Sequence, residues 1–285
     1  MVTNLADILA DNKQSSGHKR ASQAALHASV SGEGAPVILL HGLFGMGSNL
    51  GSLARALAGE FEVHQLDLLN HGRSSWQEHS DLNDLAVSVI EYMKSNGLVP
   101  AAVIGHSLGG KVAMQMALAW PDDVSAVVAA DIAPVEYAAS HDAVFSAIAA
   151  VEAARPESRS DAGEVMGEFV TEGSVVQFLA LSLKREPDGS YDWRFNAAAL
   201  RDNYEEFRKA PRGAPYPGAA MFVYGLESSY VDEAGMAAAS RLFPKARFEG
   251  IPDTGHWLHA EKPEAFNSAV LGFLRQGVGK ESIQE

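Results

Sequence analysis

Ala101-Ala102-Val103-Ile104-Gly105-His106-Ser107-Leu108-Gly109-Gly110-Lys111-Val112 is the stretch on which the fold turns. Ala101–Ile104 is an apolar run too short for a helix and leads straight into glycines, so it reads as a buried strand. Val112–Trp120 has helical spacing, and Pro121 stops it. Between them stands Gly105-x-Ser107-x-Gly109. That five-residue pattern occurs by chance on its own, but a strand before it and a helix after it are the context a serine nucleophile requires. So tight a turn forces the serine into a strained backbone conformation, and glycines on either side remove the Cβ atoms that would collide there. The hydroxyl then points away from the sheet, at a helix N-terminus whose dipole favours negative charge. The bland alternative is a glycine-rich turn with an incidental serine. A dinucleotide turn is set aside, because no G-x-G-x-x-G is present.

Working outward, Pro36–His41 reads as a strand entering the glycine-rich turn Gly42–Gly47, and Asn49–Gly59 as a helix with Leu50, Leu53 and Leu57 on one face. Glu62–Leu68 reads as a second strand, ending in the turn-rich Asn70–Ser75. Leu82–Met93 is an amphipathic helix and Val124–Ile132 another apolar strand. This alternation is the signature of an α/β fold, a doubly wound, mostly parallel sheet with helices on both faces. From Pro134 to Pro217 the pattern lapses into helix-like, alanine-rich text with polar breaks at Arg155–Asp161 and Glu186–Ser190. Strands resume at Ala220–Tyr224 and Lys245–Ile251, with Ala234–Phe243 and Pro263–Leu274 as helices. The expected organisation is therefore an N-terminal extension (1–22), one core built from 23–133 and 218–285, and a helical lid inserted at 134–217. In the extension the basic residues follow the apolar patch, which is the wrong order for a secretory signal.

The chain has 285 residues, 47% hydrophobic and 20% charged, which suits a globular protein. Its formal net charge of −14 disfavours nucleic-acid and anionic-membrane partners, and no run of 18 apolar residues predicts a membrane span. Such a charge suits solubility in a salty cytoplasm or medium; the expected location is cytoplasmic, and a monomer and a homodimer are both open. The absence of cysteine excludes disulfides, thiolate metal sites and a cysteine nucleophile.

A serine hydroxyl needs a base. His256, in Asp253-Thr254-Gly255-His256-Trp257, follows the last strand at the carboxyl edge of the sheet, the same edge as Ser107. It also comes after the serine in the chain, as Ser…acid…His order requires. His259 is its nearest rival. The acid is open between two positions. Glu227 is the only near acid in Tyr224-Gly225-Leu226-Glu227-Ser228-Ser229, after the strand that follows the lid. Asp131 ends an apolar strand, where a carboxylate persists only when paired, and is the better placed of the two. Backbone N–H groups of Leu43 (or Phe44) and Leu108 are the candidate oxyanion donors. Phe44, Trp193 and Trp257 are candidate pocket walls, although core packing explains each equally well.

With these residues in view, the chain resembles the α/β-hydrolase superfamily, and within it the small YbfF-like esterases. The matching text is His41-Gly-Leu-Phe-Gly45, Asn70-His-Gly-Arg-Ser74, Gly105–Lys111, Asp131-Ile-Ala-Pro-Val135, Tyr191–Asn196 and Gly255–Pro263. The resemblance implies a hydrolase of carboxylic esters or acyl thioesters acting on a small-molecule substrate, with no metal or cofactor. It implies that the acid is Asp131. Gly225-Leu-Glu-Ser-Ser229 departs from the family's glycine-asparagine-serine loop, which keeps Glu227 in play. Alternatives on the same scaffold are an acyl-CoA thioesterase, a perhydrolase or haloperoxidase side activity, and a non-catalytic small-molecule receptor. A histidine base also implies that hydrolysis falls below roughly pH 6–7, where histidine ordinarily protonates.

Overall fold

Each apolar run read as a buried strand is divided by the pleat between two hydrophobic cores, because successive side chains point to opposite faces. In β2 (Ala35–Leu40), Ile38 and Leu40 enter one core while Val37 and Leu39 enter the other. β4 (Ala101–His106) and β5 (Val124–Ala130) alternate in the same way: Val103 and Val127 face one side, Ile104 and Val128 the other. The computed structural model describes residues 25–277, so the extension expected over 1–22 lies outside the described residues.

The main sheet also contains β1 (Ala28–Ser31) and β3 (Phe61–Leu66). After the short β6 (Leu183–Arg185) and β7 (Tyr191–Trp193), it is completed by β8 (Ala219–Gly225) and β9 (Ala246–Ile251). The strand order is β1-β3-β2-β4-β5-β8-β9, parallel except for the antiparallel edge strand β1. Helices α1 (Gly51–Leu57), α2 (Leu82–Ser95) and α3 (Leu108–Ala119) link the first strands. Leu53 and Leu57 of α1 pack on one face of the sheet; Leu85 and Val89 of α2 and Met114 of α3 pack on the other. This is the doubly wound arrangement that the sequence pattern predicts.

Residues 134–217 add no strand to that sheet. They form α4 (Asp142–Ala154), α5 (Arg159–Gly167) and α6 (Gly173–Leu181), then a two-stranded hairpin of β6 and β7, then α7 (Ala197–Asp202) and α8 (Tyr204–Arg208). The hairpin corrects the helix-like reading of this segment. Glu186–Gly189 makes its turn, the N–H of Gly189 (φ 92°) donating to Glu186 O at 3.0 Å, and three-residue strands are too short to show an alternation. Ile148, Met166, Leu179 and Phe195 join the same core as α2 and α3, so the segment shares the sheet's core on that side. It is also pinned by polar links. Ser182 Oγ donates to Phe44 O at 2.8 Å, and the N–H of Asn196 donates to Asn70 O at 2.8 Å. Helices α9 (Glu233–Leu242), α10 (Leu258–Glu261) and α11 (Pro263–Gly277) close the chain. Among the described residues, no helix is long and apolar enough to cross a membrane.

Candidate active site

The parallel strands all end at one edge, and there β2, β4, β5, β8 and β9 deliver the residues of interest. Ser107 follows β4 with φ 52° and ψ −116°, a conformation L-residues rarely take. The neighbouring glycines make it possible. A Cβ on Gly105 would lie 2.1 Å from the Gly109 backbone, and one on Gly109 would lie 2.3 Å from Leu40 O. The N–H of Ser107 donates to Ala130 O at 3.0 Å, which holds the turn against β5.

Asp131 stands at the end of β5, fully buried, also at positive φ (51°), with its N–H donating to Val223 O at 2.8 Å. A carboxylate in such surroundings needs donors, and it has them. The N–H of Gly225 donates to Oδ1 at 3.0 Å, and His256 Nδ1 lies 2.7 Å from Oδ2. The hydroxyl of Ser228 donates to the same Oδ2. Since a carboxylate accepts, His256 Nδ1 carries the proton, which leaves Nε2 as the nitrogen with a free lone pair. The ring stacks on Tyr230, 4.2 Å between centres and 24° between planes. Glu227 is exposed, on the loop that supplies Gly225 and Ser228.

Ser228 was missed by sequence reasoning, which searched that loop for an acid. The available signal was a hydroxyl three residues past the strand end, where a buried carboxylate would need another donor. His106 donates Nε2–H to the carbonyl of His256 at 2.8 Å, bracing the backbone there. His259 packs on His106 with ring centres 4.4 Å apart, and burial and the nearby His256 lower its pKa to about 4.

The loop after β2 is held by two buried histidines. His41 Nδ1–H donates to Gly42 O at 2.8 Å, while its Nε2 accepts the N–H of Leu68 at 3.0 Å. His71 Nδ1–H donates to Leu69 O, and its Nε2 accepts the N–H of Phe44 at 3.2 Å. The Phe44 amide is therefore engaged. Among the described residues, the N–H groups of Leu43 and Leu108 are left without a protein acceptor, beside Ser107.

A cavity of about 250 Å³ opens over Ser107 and His256, walled by Phe44, Val144, Val175, Phe178 and Trp257. Trp193 lies elsewhere: its buried ring stacks on Phe195, 5.0 Å away, because β7 turns that face into the core. A second, smaller compartment of about 50 Å³ also reaches Ser107, between Leu108, Ile132, Tyr137 and Phe207.

A buried aspartate paired with a half-buried histidine, which shares a cavity with a strained serine on a doubly wound sheet, defines a class, and comparison with known proteins places the chain in it. Residues 35–263 match the α/β hydrolase fold family. Esterase YbfF of Escherichia coli (strain K12) is 37% identical over 240 residues, 84% of this chain and 92% of that protein. An sn-1-specific diacylglycerol lipase of Mus musculus is 35% identical over 247 residues, 84% of this chain and 80% of that one. A solved structure of a marine microorganism esterase superposes with a TM-score of 0.85 at 32% identity, covering 88% of this chain and all of that one. The chain belongs to the α/β-hydrolase family, among the carboxylic ester hydrolases that include Esterase YbfF.

Proposed function

We propose that this enzyme cleaves small-molecule carboxylic esters through an acyl-enzyme intermediate, with Ser107 as nucleophile, His256 as general base and Asp131 as the acid that orients it. The observation that carries this reading is the 2.7 Å contact of His256 Nδ1 with buried Asp131, made by a histidine that lines the same cavity as Ser107. His256 Nε2 takes the proton of Ser107 Oγ as that oxygen bonds to the ester carbonyl carbon. The developing oxyanion is received by the N–H groups of Leu43 and Leu108, each donor typically worth about 3 kcal/mol. On collapse the carbon–oxygen bond to the alcohol breaks, and Nε2 returns the proton to the leaving oxygen. Water then repeats the sequence and frees the acid. Residues 134–217 act as the lid: Val144, Val175 and Phe178 come from them and roof the cavity.

Hydrolysis of p-nitrophenyl acetate and butyrate by the wild type and by Ser107→Ala tests this directly. The alanine variant is expected to lose about a thousandfold or more of kcat/KM while keeping its circular-dichroism spectrum. A folded Ser107→Ala protein with near-wild-type turnover sinks the assignment.

A further inference from the structure

We infer that the two compartments meeting at Ser107 divide the ester unequally, with a short acyl group in the small one and a bulky apolar alcohol in the large one. The inference rests on the triad reading above and names the substrate class of that site.

The chemistry decides which compartment receives which half. The alcohol oxygen must receive its proton from His256, so it has to come within hydrogen-bond reach of that ring. His256 lines only the larger cavity. The alcohol half therefore extends there, between Val144, Val175, Phe178 and Trp257. The carbonyl oxygen points to the amides of Leu43 and Leu108. The acyl substituent is left with the remaining direction, past Leu108 towards Ile132, Tyr137 and Phe207.

Size then fixes the class. At about 10–15 Å³ for each water-sized site, the acyl compartment of about 50 Å³ holds about four non-hydrogen atoms. By the same measure the alcohol cavity of about 250 Å³ holds on the order of twenty. The acyl walls are stiff. Ile132 and Phe207 are buried, and Lys111 ties the backbone behind Phe207, its Nζ donating to Phe207 O and Lys209 O at 3.3 and 2.7 Å. The alcohol walls Val175 and Phe178 are only half-buried, on α6 of the lid. A longer acid thus outgrows the small compartment, whereas a longer alcohol finds more room and more apolar wall.

Octyl acetate and ethyl octanoate are isomers of equal carbon count and similar chemical reactivity, so their comparison isolates orientation. Octyl acetate is expected to be hydrolysed with a kcat/KM at least tenfold above that of ethyl octanoate. Within alkyl acetates, kcat/KM should rise two- to fourfold per added methylene until the cavity is filled. Val175→Trp, at a half-buried wall, should lower the octyl acetate to ethyl octanoate ratio, and Ile132→Ala should lower it from the other side by admitting longer acids. A ratio near one, or reversed, overturns the inference while leaving the triad standing. So does failure on both isomers by a protein that still cleaves p-nitrophenyl acetate. If a folded wild type cleaves none of the three esters, the catalytic reading itself has failed.

Discussion

Asp131 does more than its one contact with His256 suggests. It is fully buried, and its charge is supported by three donors, Gly225 N–H, Ser228 Oγ and His256 Nδ1. Asp131→Asn presents an amide that no longer holds the histidine in the needed tautomer, so kcat should fall by about 10⁴. Glu227→Gln, at an exposed position, should change kcat by less than about twofold, and stopped assays of the two variants on p-nitrophenyl butyrate decide the acid. Equal losses would mean that both carboxylates act on the histidine. Ser228→Ala removes one hydrogen bond to a charged group, a type worth about 1.5–3 kcal/mol, and kcat should fall about tenfold or more with KM little moved. A KM effect alone would place Ser228 against substrate instead. Ser107 and His256 could be singled out as candidates in the sequence because each has a marked context: a glycine-framed turn for one, a loop after the last strand for the other. Ser228 was not, because its role exists only once β5 and β8 are neighbours and bring Asp131 beside the loop.

The elements most clearly written in the sequence are those buried on both faces, since continuous apolar runs such as Ala101–Ile104 admit few other readings. β1 was illegible because Ala-Ser-Val-Ser at a largely exposed sheet edge needs no apolar pattern. The turn joining β4 to α3 is where sequence and geometry agree most closely. Gly105→Ala would set a methyl 2.1 Å from the backbone of Gly109, with no flexible side chain to move aside. The expected cost is at least about 3 kcal/mol, a Tm drop on the order of 10 °C, read by thermal melting. A Tm within 2 °C of wild type would show that the turn relaxes freely. Lys111 links α3 to α8 by donating to the carbonyls of Phe207, Arg208 and Lys209, and burial lowers its pKa to about 7. Lys111→Met frees those carbonyls and should cost about 1–3 kcal/mol, visible as a lower urea midpoint at unchanged m. An unchanged midpoint would mean that water replaces the ammonium without loss.

At the scale of the whole molecule, buried histidines set the response to acid. Burial lowers the pKa of His41 to about 4 and of His71 to about 3, despite backbone hydrogen bonds that pull upward. The geometry gives the same direction: each ring already accepts a backbone N–H at Nε2, and a proton there would set donor against donor. His141 and His259 are likewise lowered to about 4 by burial. In the unfolded chain these groups take up protons below about pH 6.5, while the folded protein refuses them until near pH 4. The stability held by their neutral forms is thus complete above pH 6.5 and is lost as pH falls from there to about 4. Each site contributes up to about 1.4 kcal/mol per pH unit across that window. Melting curves at pH 7.5 and pH 5 should therefore show a clear fall in Tm at the lower pH. The loop that carries Leu43 is braced by His41 and His71, so acid should open the proposed oxyanion site as part of this unfolding. A Tm that stays flat from pH 7.5 to 4.5 would mean that the histidines titrate in place, with the loop after β2 adjusting around them.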